Sequence, residues 1–206
     1  MINGYFHKSD PAVLTVAGRE LHHEWWSRPY EYAWALEQAR GMKRVADMGC
    51  GWMGRPLRDG LVLICDYVYA VDADPRLLQL TNQYPERMAL VVGDFTRGPM
   101  MTIGEAELDG IFCVSVLEDL RPEKLVVALE TFEYHLKPGG RIAVTFDVLT
   151  GAQVVYPGLE VEAFEIAMRG AGLWYIGEVD YSQRDDLLRH NEWNLCCFHA
   201  LIGRAE

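Results

Sequence analysis

Apolar residues recur along the chain in five runs, at positions 44–48, 67–71, 88–92, 108–114 and 141–146, each bounded by polar or glycine-containing stretches. Short apolar runs of this kind are the pattern of strands buried on both faces of a parallel sheet. Helical periodicity fills the intervals. The clearest case is 122–136, where Leu125, Leu129, Phe132 and Leu136 are spaced by four, three and four, with Pro122 at the start and Gly139 just beyond the end. Alternation of the two patterns predicts an α/β fold, a Rossmann-like doubly wound sheet with right-handed crossovers and its ligand at the carboxyl ends of the strands. The last third continues with a helix at 161–171, a strand at 173–179, a charged connection at 181–194 and a final strand at 195–202. Two strands joined without a helical crossover are most simply antiparallel.

The first forty residues have a different texture. Positions 22–34 hold three of the six tryptophans, and Pro29 followed by Glu31 predicts a helix running to about residue 40. Two readings stand side by side. In one, residues 1–40 form an aromatic helical lid over a domain at 41–206, with Trp26, Arg28 and Tyr32 shaping a substrate pocket and Arg28 meeting a carboxylate. In the other, the aromatics simply pack an extra helix onto the sheet. After Gly54, Pro56 and Gly60 predict a helix that is short or starts late.

Composition narrows the class. A chain of 206 residues suits one domain. No 18-residue apolar stretch occurs, and the first ten residues lack the apolar core of a signal peptide, so a cytoplasmic protein without a membrane span is expected. Five cysteines without a C-x-x-C pair suggest neither a disulfide framework nor a zinc site; Cys50, Cys65 and Cys113 read as buried thiols. A formal net charge of −11 disfavours a nucleic-acid partner, since such binding depends on clustered Lys and Arg. The oligomeric state is left open.

The chemistry gathers at the end of the first sheet strand. Gly49, Gly51 and Gly54 fit G-x-G-x-x-G, whose Cβ-free positions allow a tight turn and close approach of backbone to a ligand. Asp72 closes the next strand at the distance expected of an acid that holds ribose hydroxyls. A carboxylate at Asp47 would repel a dinucleotide's pyrophosphate and attract a ligand carrying an ammonium and a sulfonium, as S-adenosylmethionine does. A simple turn-capping role for Asp47 is the alternative.

Several motifs in order give the chain a family resemblance. Asp47-Met48-Gly49-Cys50-Gly51, Ala70-Val71-Asp72-Ala73-Asp74-Pro75, Val91-Val92-Gly93-Asp94-Phe95, the stretch from Leu108 to Leu120 and Leu136-Lys137-Pro138-Gly139-Gly140 together resemble the class I S-adenosylmethionine-dependent methyltransferases from about residue 40 onward. The resemblance implies strand order 3-2-1-4-5-7-6 with a reversed last strand. It also implies S-adenosylmethionine as cofactor and S-adenosylhomocysteine as product. By match, Asp47, Gly49, Cys50 and Gly51 would hold the methionine end, Asp72 and Ala73 the ribose, Asp94 and Phe95 the adenine, and Ser115 would line the methyl side. The chain departs from the family at Asp119, where many relatives carry histidine.

No catalytic residue is fixed by motif. Glu118, Asp119 and His23 are the candidates for proton transfer, against a helix N-cap near Asp119 and a surface imidazole at His23. His23-Glu24-Trp25-Trp26-Ser27 fails H-E-x-x-H, and no metal is expected. Asp185 and Asp186 read as a solvated loop. The expected activity is methyl transfer to a small-molecule acceptor. A nicotinamide-dependent oxidoreductase and a nonenzymatic binding subunit of the same fold are the competing readings.

Overall fold

The computed structural model describes residues 2–52, 56–150, 158–190 and 192–205. Gly54, the last glycine of the motif, lies outside the described residues.

Five parallel strands form the centre: β4 (Arg44–Met48), β5 (Tyr67–Asp72), β6 (Met88–Val92), β7 (Leu108–Val114) and β8 (Leu136–Leu149). Their positions follow the five apolar runs, with β8 extended at both ends. Strand β12 (Leu195–Arg204) then returns antiparallel to β8, in register from Leu195 opposite Leu149 to Ile202 opposite Ile142. Helices cover both faces. On one side α1 (Arg28–Gln38) and α2 (Leu57–Ile64) bury Tyr32, Ala35, Leu57 and Leu61 against Val45, Val68 and Phe112. On the other, α3 (Pro122–His135) and α4 (Val161–Gly170) bury Leu125, Leu129, Phe132 and Phe164 against Ile111, Ile142, Phe146 and Phe198. Each of the leucine, isoleucine, valine and phenylalanine side chains among them contributes roughly 1.5–3 kcal/mol on burial. Helix α2 is short, as Pro56 and Gly60 predict; Pro56 stands at its N-cap position without a side-chain bond, and a Cβ at Gly60 would come within 2.7 Å of Val16.

The outer edge differs from the order 3-2-1-4-5-7-6. The sheet runs β10-β1-β12-β8-β7-β4-β5-β6, where β1 is Ile2–Tyr5 and β10 is Glu178–Asp180. The single strand expected at 173–179 is divided. Its first part, β9 (Leu173–Tyr175), pairs with the end of β12, and β10 is displaced onto β1. Asn3 explains the insertion. Fully buried, it donates from Nδ2 to the carbonyls of Ile176 and Glu178 and accepts from Leu201 N–H at 2.6 Å. At Gly4 a Cβ would meet the Asp180 carbonyl oxygen at 2.5 Å, so only glycine permits this approach.

The N-terminal forty residues are therefore not a wholly helical lid. They comprise β1, a hairpin of β2 (Thr15–Val16) and β3 (Arg19–Glu20), and α1, whose Glu31 and Tyr32 are buried. Asp186 is likewise not merely a solvated residue. It bonds His7 at 3.1 Å and Ser9 at 2.6 Å, tying the N-terminal arm to the connection that leads, through β11 (Arg189–His190), into β12. Among the described residues, no helix is long and apolar enough to cross a membrane.

Candidate functional site at the carboxyl ends of the central strands

The glycine turn is built by backbone bonds to the neighbouring strand. Gly49 N–H and Cys50 N–H both donate to the Val71 carbonyl, at 2.8 and 2.9 Å, which folds the chain sharply after Met48. Gly49 takes φ +79°, and a Cβ there would lie 2.6 Å from Val116, so both conformation and space demand glycine. Gly51 takes φ +68°. Asp72 then holds the turn from β5: one carboxylate oxygen accepts from Gly51 N–H at 2.8 Å and the other from Asp74 N–H at 2.9 Å. Each oxygen keeps a further lone pair for a ligand.

Arg58, in the first turn of α2, completes this frame. Its buried guanidinium donates to the Gly51 carbonyl at 2.8 Å and to that of Cys50 at 3.3 Å. Arg58 belongs to none of the sequence motifs. A basic residue a few positions after a glycine turn was the available signal. Asp47, nearly inaccessible, lines a small pocket with Tyr32, Gly49, Cys50, Leu57 and Val114. Burial pushes the Cys50 thiol far up, so it is an inert wall.

Further along the same edge, Asp94 accepts from Thr96 Oγ1 at 2.6 Å, Thr96 N–H at 3.0 Å and Arg97 Nε at 2.8 Å. The Thr96 hydroxyl first, and Arg97 with it, hold the Asp94 carboxyl below the usual range. Phe95 packs into the core beside Phe132, ring centroids 5.1 Å apart, so its ring is largely a core side chain. Ala73 is exposed beside Asp72. Trp52, which no motif singled out, follows the turn with the Arg76 guanidinium 4.0 Å from its ring centroid; Arg76 is in turn held by Asp74.

A second group of polar side chains lies beyond Asp47, where α1 crosses the ends of β7, β8 and β12. Glu31 is fully buried and accepts from both Arg28 (2.8 Å to each oxygen) and Thr145 Oγ1 (3.0 Å), and it bonds Ser115 Oγ at 3.0 Å. Arg28 Nη1 also donates to Ser115 at 2.5 Å. The carboxylate that Arg28 meets is thus Glu31, three residues on. Ser115 sits at φ +47°, an uncommon conformation for a residue with a side chain, and this strain marks the end of β7.

Asp147 and Glu118 add two acids to the group. Asp147, on β8 opposite Cys197, is pushed up to about 7 by burial and then by the Glu31 charge, with Arg28 opposing. Burial and the Asp147 charge likewise hold Glu118 well above its ordinary value. Glu118 Oε2 and Asp147 Oδ1 are buried without a hydrogen-bond partner among the described residues. Donor atoms of Glu31, Asp147 and Cys197 lie within 4.8 Å of one another; Arg28 already supplies the positive charge beside Glu31. Sequence reasoning found Glu118 and missed Glu31, Asp147 and Thr145, which no short motif contains.

The remaining candidates fall elsewhere. His23 is exposed and stacks on His22 at 4.6 Å. Trp26 packs edge-on to His190, in a satellite cluster with Phe6, Leu188 and Cys197. Asp119 closes a 3-10 turn, Leu117–Asp119, and does not cap α3, whose N-cap is Arg121 without a side-chain bond.

Comparison with known proteins identifies relatives of the fold. A family described as methyltransferase domain matches residues 46–144. No protein of curated function matches the sequence. Among solved structures, a TehB-like S-adenosylmethionine-dependent methyltransferase from Corynebacterium glutamicum is similar, with 22% identity, TM-score 0.61 and coverage of 85% of this chain and 88% of that one. The 1,6-didemethyltoxoflavin-N1-methyltransferase of Burkholderia thailandensis, solved with 1,6-didemethyltoxoflavin and S-adenosylhomocysteine, is 20% identical at TM-score 0.65, covering 89% and 80%. The cyclase SpnF is 13% identical at TM-score 0.65, covering 94% and 89%. Residues 46–144 therefore match a methyltransferase domain, and the chain shares the fold of solved S-adenosylmethionine-dependent methyltransferases.

Proposed function

We propose that the chain binds S-adenosylmethionine and transfers its methyl group to a small-molecule acceptor, leaving S-adenosylhomocysteine. The observation that carries this reading is the acid-framed glycine turn: Asp47 at its base, and Asp72 fixed by Gly51 N–H and Asp74 N–H. The residues present fit that group. Carboxylates line the cleft where a ligand with two positive charges would lie, and glycine is obligatory where backbone must approach closely. Asp47 and the Gly49–Gly51 turn would hold the methionine end, with Tyr32 and Cys50 as walls. Asp72 beside Ala73 would take the ribose, and Asp94 with the Phe95 backbone the adenine. The group, when bound, supplies an electrophilic methyl, so the chain needs alignment and exclusion of water more than strong acid–base chemistry.

The acceptor would lie beside Ser115, against the Arg28, Glu31, Glu118 and Asp147 group. Arg28 and Glu31 hold Ser115 in place. Asp147, with a carboxyl near 7, is suited to take at Oδ1 the proton that an O–H or N–H acceptor loses.

Isothermal titration calorimetry with S-adenosylmethionine, S-adenosylhomocysteine and NAD, one at a time, tests the reading. Micromolar binding of the first two without NAD is expected. Binding of NAD alone assigns the cleft to a nicotinamide cofactor and overturns it. Because the cyclase SpnF shares the fold, turnover with candidate acceptors then separates a methyltransferase from a protein that only binds the cofactor.

A further inference from the structure

A second cavity lies apart from the glycine-turn cleft. It measures about 820 Å³ and lies on the flank, enclosed by the N-terminal arm, the outward side of α1 and the end of α2. It shares no lining residue with the small pocket at Asp47. Helix α1 stands between the two, presenting Tyr32 to the glycine turn and Ala33 and Trp34 to the cavity.

Its walls are apolar and partly open. Leu63 and Ile64 of α2 are 56% and 41% exposed, and Ile2 of β1 55%, which is unusual for three large aliphatic side chains around one hollow. Deeper in, the His199 ring lies 4.5 Å from that of Phe6 and 4.9 Å from that of Trp34. Burial lowers His199 to about 4, so its imidazole is neutral, and its Nδ1 has no hydrogen-bond partner among the described residues. Around the rim the charges answer one another. Arg40 pairs with Glu37 at 2.5 Å, Arg184 with Asp180 at 3.0 Å, and Asp10 accepts from His7 N–H at 2.7 Å. Neither arginine is left to recruit an anion.

A volume of this size is that of small-molecule pockets, which combine apolar and aromatic walls with a few polar anchors. We propose that this cavity is a second ligand site, binding a neutral, flat, largely apolar small molecule with one hydrogen-bonding group, held between Trp34 and the aliphatic rim with His199 as its polar anchor. The site is distinct from the methyl-transfer cleft and does not depend on the function proposed for that cleft.

Fluorescence titration of the full chain with N-phenylnaphthylamine, a neutral aromatic probe with one N–H, tests the proposal, with light scattering on the same samples. Saturable one-to-one binding in the micromolar range is expected, unchanged by saturating S-adenosylhomocysteine. Ala33→Trp, which fills the void, should weaken it at least tenfold. Leu63→Asp, at an exposed position whose change leaves the core intact, should do the same by placing a charge on the rim. Absence of saturable binding, indifference to both variants, or displacement by S-adenosylhomocysteine each overturns the proposal. So does a dimer that Leu63→Asp dissociates, because a second copy of the chain would then cover the cavity.

Discussion

Asp72 has both carboxylate oxygens engaged by backbone before any ligand arrives, at 2.8 Å to Gly51 and 2.9 Å to Asp74. It therefore shapes the turn as well as offering lone pairs to a ligand. Asp72→Ala should weaken binding of S-adenosylhomocysteine by about 1.5–3 kcal/mol, the loss of a charged hydrogen bond, read by calorimetry as roughly a 10- to 150-fold rise in Kd. Unchanged affinity would remove Asp72 from the site. Asp147 makes a prediction of a different kind. Its carboxyl is raised from an ordinary 3.8 to about 7, so in this range the folded chain binds more protons than the unfolded one. Stability from this group is then complete below about pH 4 and is lost as pH rises toward 7. At about 1.4 kcal/mol per pKa unit the upper bound is about 4 kcal/mol. The groups facing it are Arg28 and Glu31 from α1, Glu118 and Asp119 from the turn after β7, and Cys197 from β12. Asp147→Asn should flatten the fall, gaining relative to wild type at pH 8 over pH 5. Parallel urea denaturation curves for the two proteins would contradict the raised carboxyl.

Among the elements, β1 is the one whose place depends most on a single side chain. Asn3 spends all three of its bonds on backbone groups of the Ile176–Glu178 segment and of β12. Asn3→Ala would leave a buried N–H and two carbonyls unsatisfied, and should destabilise the fold by about 2–3 kcal/mol, seen as a lower urea midpoint at unchanged slope. An unaffected midpoint would mean that β1 is peripheral. The same strand shows where sequence reasoning stops. β4 and β7 are legible because apolar residues dominate them, Val45 and Ala46 in one and Ile111 through Val114 in the other, between polar or glycine-containing stretches; α3 is legible because Leu125, Leu129 and Phe132 repeat at helical spacing behind Pro122. Strand β1 is only four residues, INGY, with one inward polar residue, so no periodicity can announce it. The division of β9 from β10 follows from that insertion and is equally invisible. In the site, Asp47, Asp72 and Asp94 were readable because each ends or follows its strand. Glu31 and Asp147 were not, since the bonds of Glu31 to Ser115 and Thr145, and its closeness to Asp147, exist only after α1 docks across strands far away in the chain.

At the scale of the whole molecule, the cleft is assembled by elements that span the chain: α1, the β4 turn, the ends of β5 through β8, and β12. A ligand there favours the folded state over the unfolded one for all of them together. For one site the gain is RT ln(1 + [L]/Kd), about 2.7 kcal/mol when the ligand is at a hundredfold its Kd. In a chain of this length each kcal/mol moves the midpoint by roughly 2–4 °C. S-adenosylhomocysteine at that concentration should therefore raise Tm by about 5–10 °C in a thermal scan, as a displacement of one cooperative transition. The net charge of −11 works against a polyanion doing the same, since a negative surface repels phosphate. Duplex DNA or RNA should accordingly leave Tm unmoved at physiological salt. A shift with nucleic acid and none with S-adenosylhomocysteine would place the binding surface away from the acid-framed turn, and with it the function.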